Sequence, residues 1–144
     1  MSVFDEAGHR VMVAVLDRLV PAVDDLPAAG AMGVANDIQR LVTGEDRFGR
    51  ALAKFIAMLS TGGDFTTLPG DEQDLGISAI EATQPSDFAL VLEISYIAYY
   101  SRPEVHAHIG WRTGPLQPLG FELPPFDESV LDTTRRLQPF WRRT

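Results

Sequence analysis

The chain has 144 residues, 45% hydrophobic and 22% charged, a size and balance that fit one folded domain with a real core rather than a disordered segment. A formal net charge of -8 argues against a nucleic-acid partner, because phosphate backbones are gripped by concentrated Lys and Arg. The absence of cysteine excludes disulfides, thiolate metal sites and Cys nucleophiles together.

In chain order, Val3 to Leu19 carries Phe4, Val11, Val15 and Leu19 at helical spacing, with Glu6, Arg10 and Asp17 on the far side. This predicts an amphipathic helix that Pro21 ends. A second helix is expected over residues 28–42, weakened by Gly30 and Gly33. Thr43 is placed to cap a third helix, with Asp46 three residues on as a short-armed capping box. That helix places Phe48, Ala51, Leu52, Phe55 and Leu59 on one face and Arg47, Arg50 and Lys54 on the other, and it stops at Gly62 and Gly63.

A connector over residues 64–68 leads to a fourth helix beginning at Pro69 and Asp71 and running to about residue 82. The fifth helix, residues 87–100, is apolar nearly all round and is therefore expected to be covered by its neighbours. Beyond Arg102 the texture changes: six of the ten prolines lie at 103, 115, 118, 124, 125 and 139, and helical and strand periodicity both lapse. Residues 113–125 read as an extended arm and residues 128–137 as a last short helix. The expected architecture is all-α, a compact bundle of five to six helices over residues 1–110. Residues 111–144 form the arm and terminal helix, which pack on a partner, within a single domain overall.

No stretch approaches the roughly 18 apolar residues of a membrane span, and MSVFDEAGHR lacks the pattern of an export signal. The expectation is a cytoplasmic protein, or a periplasmic one if a signal has been removed. Candidate catalytic groups are sparse. GAMG at 30–33 follows no strand, so it is not a dinucleotide fingerprint. His106 and His108, if on a helix, point about 200° away from each other and cannot chelate one ion together unless this stretch is extended. A metal-dependent enzyme built on His9, His106 and His108 is the least favoured reading. Asp24, Asp25 and the acidic start of the fourth helix read as loop and helix-dipole charges, and no serine sits in an elbow motif. No catalytic, cofactor-binding or metal residue is assigned.

Eight of the thirteen aromatic residues fall at or after Tyr96. Tyr and Trp combine apolar area with a polar handle and are favoured at interface hot spots. Tyr99, Tyr100, Trp111, Phe121 and Phe126 are the candidate partner anchors, with Pro115 and Pro118 holding the arm extended.

These residues resemble a known family. The stretches VLDRLVPAVDDLPAAGAMGVANDIQRLV, GGDFTTLPGDEQ and YIAYYSRPEVHAHIGWRTGP, spanning about residues 11–121, are similar to the small subunit of flavin-dependent gluconate 2-dehydrogenase, the gluconate 2-dehydrogenase subunit 3 family. The resemblance implies an accessory helical polypeptide. In that family a large flavoprotein of the glucose-methanol-choline oxidoreductase type binds FAD and oxidises a sugar, sugar acid or glycoside. The expected function is thus a non-catalytic small subunit that stabilises or assembles this partner. Some members of that family add a multihaem cytochrome c that takes the electrons onward, so an electron-acceptor protein is a further expected partner, and for a cytoplasmic member oxygen or a soluble carrier is expected in its place. The alternative is a free-standing maturation chaperone for such a flavoprotein.

Overall fold

The computed structural model describes residues 3–43, 46–112, 114, 120, 122 and 125–137. Among them are seven α-helices and no strand: α1 (Glu6–Leu19), α2 (Val34–Leu41), α3 (Arg47–Ser60), α4 (Gly70–Thr83), α5 (Pro85–Tyr100), α6 (Pro103–His108) and α7 (Leu131–Arg136). Two compact units are distinguished, Met1–Thr113 and Gly114–Thr144. The all-α expectation holds.

In the first unit α1 begins where the Asp5 carboxylate accepts the Gly8 N–H at 2.8 Å, one of the orphan donors of a helix start. Its inward stripe, Val11, Met12, Val15 and Leu16, meets α2, α3 and α4. The second helix is shorter than expected, because residues 29–33 form turns and α2 starts only after Gly33, whose φ of 82° suits a residue without a Cβ. Gly30 is fixed for a different reason: an added Cβ would stand 2.2 Å from the Val13 carbonyl oxygen and 2.6 Å from Asp17 Oδ1.

The start of α3 differs from the expected capping box. Asp46 is itself the cap, with Oδ1 accepting the Gly49 N–H at 2.7 Å while Oδ2 accepts the Thr43 N–H at 2.9 Å. One carboxylate thus closes both the loop and the helix. The connector to α4 contains a 3-10 turn, Phe65–Thr67, and buried Gln73 donates to the Phe65 carbonyl at 3.0 Å. Pro85 occupies the first turn of α5, where its missing N–H costs nothing.

The core is one cluster in which α3 and α5 share the largest interface, with Phe55 and Phe88 rings 5.9 Å apart. Surface ion pairs fasten the periphery: Arg18 grips Asp74 through two bonds of 2.7 and 2.6 Å, and Lys54 meets Asp87 at 2.5 Å. In the second unit Asp127 caps a 3-10 turn, Glu128–Val130, by accepting the Ser129 N–H, and this turn leads into α7.

Candidate functional site: an aromatic strip along α5

The inward face of α5 is set by Phe88, Val91, Ile94, Ser95, Ala98 and Tyr99, which recur at helical spacing against α2, α3 and α4. The helix is not covered all round, as its apolar sequence led one to expect. Tyr96, Ile97 and Tyr100 lie on the opposite side and are 43%, 44% and 51% exposed. Among the described residues, neighbouring helices cover only one side of α5, and the apolar residues on the other side face water.

Positions 99 and 100 are therefore separated. Tyr99 is 5% exposed and belongs to the protein's own core, a correction to its place among the partner anchors. Burial raises its phenol pKa above the ordinary tyrosine range, with a smaller push from Tyr100. The Tyr100 ring meets Tyr99 edge-on at 5.1 Å and Tyr96 at 6.2 Å, so the strip is stacked before any partner arrives.

The strip continues through α6. This helix is formed by residues that read as the beginning of the irregular region, because Pro103 sits at its first position and starts it rather than breaking the chain. Val105 is buried and anchors it. His106 Nε2–H donates to the Tyr100 carbonyl, and its Nδ1 is buried without a hydrogen-bond partner among the described residues. Against this imidazole lies the Trp111 ring, 6.5 Å away, while the Trp111 N–H donates to the His106 carbonyl at 2.8 Å. Trp111 nonetheless remains 62% exposed. A short helix with one buried side chain thus holds an indole outward against His106, whose Nε2 reaches the Tyr100 carbonyl.

Of the other predicted anchors, Phe126 is described and exposed in the second unit. Pro115, Pro118 and Phe121 lie outside the described residues, as does most of the expected arm.

One flank of the strip is polar and charge-compensated. Arg102 spans Asp37 of α2 and Glu104 of α6, the latter at 2.7 Å, beside a cleft of about 370 Å³ that Leu41, Ala98 and Ser101 also line. Burial opposes the Arg102 charge, but the bonds to Glu104 and Asp37 outweigh it and hold the guanidinium above its ordinary pKa. The Glu104 carboxyl is held low by its own backbone N–H and then by Arg102. Asp37 also takes Arg40, so two cations face two anions with no residual charge to specify a ligand. Near the other end, Arg47 pairs with Glu93 at 3.1 Å and lies over the Phe48 ring at 4.5 Å.

The three histidines take separate partners. His9 meets Asn36 at 2.9 Å, His106 the Tyr100 carbonyl, and His108 the acidic turn at Asp24 and Asp25. Among the described residues no group of three His, Asp or Glu could hold a metal ion, and no helix is long and apolar enough to cross a membrane.

Fold and surface together define a class: a small helical protein whose most distinctive feature is an outward aromatic strip rather than an enclosed polar pocket. No protein-family model, no curated protein and no solved structure matches the chain.

Proposed function

We propose that the chain is the non-catalytic small subunit of a heteromeric FAD-dependent sugar or glycoside oxidoreductase, stabilising or assembling the flavoprotein large subunit. The observation that carries this reading is the strip Tyr96, Ile97 and Tyr100, continued by Trp111, exposed on a helix whose other side is fully used by the core. Large aromatics left in water at one place mark a protein contact. The partner's class comes from the resemblance of YIAYYSRPEVHAHIGWRTGP and the earlier motifs to the gluconate 2-dehydrogenase subunit 3 family. FAD and the redox chemistry belong to the partner in this reading, and the chain supplies surface.

The test is to purify the chain from its host with its bound polypeptide and repeat with Trp111→Ala. The expected companion is yellow, carries FAD and is present at one to one. Trp111→Ala should cost about 2 kcal/mol of binding, roughly thirtyfold in affinity, with the helical circular dichroism of the chain unchanged. A flavoprotein that folds, holds FAD and turns over equally well without this chain would overturn the reading. Loss of the chain from purified active enzyme would favour the maturation chaperone instead.

A further inference from the structure

The net charge of -8 is not spread evenly along the fold. Residues 1–33 and 61–84, which hold α1, the loop after it and α4, carry ten acidic and two basic side chains. Residues 34–60 and 85–112, which hold α2, α3, α5 and α6, carry six of each. Residues 114–144 carry four of each, so the whole acidic surplus belongs to the α1 and α4 segments.

The balanced segments are the ones that bear the aromatic strip. One turn before Tyr96 and Ile97, Glu93 is taken by Arg47 at 3.1 Å. Just beyond Tyr100, Arg102 holds Glu104 at 2.7 Å and also Asp37, which takes Arg40 as well. Arg112, the neighbour of Trp111, is counted in the same balance. The carboxylates flanking the strip are thus engaged within the chain, and a charged group of a partner brought here would compete with a pair already made. The helix α4 is different. It packs on the covered side of α5, and its Asp71, Glu72 and Glu81 are exposed in a segment that has no basic residue. We infer that the strip docks on an uncharged, apolar surface of its partner, with the acidic face of α4 left in water.

Charged groups are depleted from the core of a protein contact, because an unpaired charge removed from water is costly. A partner carboxylate or ammonium set opposite Tyr96, Ile97 and Tyr100 would meet apolar area and pairs that are already closed. At physiological ionic strength the surplus on α4 is screened within about 8 Å, so it neither steers nor strengthens a contact made on the other side of α5. Affinity then comes from apolar burial and aromatic packing alone. The partner's identity rests on the function proposed above, whereas the chemistry of the surface it presents is read from this chain's own charges.

A salt series on the complex of the full chain with its companion tests the inference. The dissociation constant should change by less than about twofold between about 0.05 and 0.5 M NaCl, as expected where no charge pairs cross the contact. Ile97→Glu, which sets a carboxylate in the middle of the strip, should weaken binding about tenfold or more with helical circular dichroism unchanged. Glu72→Gln combined with Glu81→Lys, on the exposed face of α4, should leave affinity within about twofold. An affinity that falls about tenfold over the salt series, while the flavoprotein and its FAD are captured at low salt, would overturn the inference and leave the proposed function standing. So would a loss in the α4 variant as large as that in Ile97→Glu. A companion that carries no FAD would overturn the proposed function instead, and the same series on that companion would still decide what chemistry the strip meets. A chain that captures no companion overturns both.

Discussion

Helices α3 and α5 share the largest interface of the molecule, yet they use their apolar residues differently. In α3 the large inward side chains Leu52, Phe55, Ile56 and Leu59 are buried and the opposite face carries Arg50 and Lys54, with Met58 36% exposed, so most of its pattern is accounted for by its own core. In α5 the inward face even accommodates a polar Ser95, whose hydroxyl donates to the Val91 carbonyl at 2.7 Å, while Tyr96, Ile97 and Tyr100 stand in water. Core packing explains the first arrangement and leaves the second without an internal reason. Two helices of similar length, packed on each other, thus separate residues that serve folding from residues available for something else.

The largest effect is expected where the helices meet. Phe55→Ala removes a ring that is 2% exposed and packed on Phe88, and should cost about 3–5 kcal/mol in urea unfolding. A sharper version stays within α5, comparing two isoleucines three residues apart. Ile94→Ala, in the core, should cost about 2–5 kcal/mol, whereas Ile97→Ala should stay within about 0.5 kcal/mol. Equal losses at positions 94 and 97 would mean that the outward strip is part of the fold, and the distinction between the two helices would fail.

The same contrast explains what was legible in the sequence. The stripe of α3 can be read directly, because a charged face opposes an apolar one and only one orientation is acceptable. In α5 the single charged residue of the outward face is Glu93, so periodicity does not tell which side the neighbours cover. Tyr99 and Tyr100 are adjacent in sequence and about 100° apart around the helix. Which of them is buried depends on the register that Phe88, Val91 and Ser95 impose through tertiary packing. Elsewhere the sequence left a choice that geometry resolved. Pro103 could end one segment or begin another, and extended Arg102 before it, at ψ 133°, is compatible with both. Thr43 and Asp46 both suit a cap, and the longer reach of a carboxylate to two backbone donors favoured Asp46.

The helix starts supply the smallest and most local contrast. α3 opens on a charged cap, whereas α5 opens on Gln84 with no side-chain cap and a proline in its first turn. The Asp46 carboxyl is held below the usual carboxylate range by the Gly49 N–H and then the Thr43 N–H. A carboxyl whose pKa is depressed by folding stabilises above its unfolded value, about 3.9, and that stabilisation is lost as pH falls through the folded value. Asn can still cap the Gly49 N–H and carries no titrating charge, although its NH2 cannot accept the Thr43 N–H. Asp46→Asn should therefore keep the helix start capped, lowering protection of the Arg50 amide, bonded to the Asp46 carbonyl at 3.1 Å, a few-fold at neutral pH through the lost Thr43 bond. It should also remove that amide's loss of protection between about pH 5 and pH 3. The Phe88 amide at the start of α5, bonded to the Gln84 carbonyl at 2.9 Å, should respond to acid identically in both proteins, its nearby acid being Asp87 paired with Lys54. If Arg50 in the variant still loses protection as it does in the unmodified chain, the acid sensitivity of α3 lies in other carboxylates, and the two helix starts do not differ in the way their caps imply.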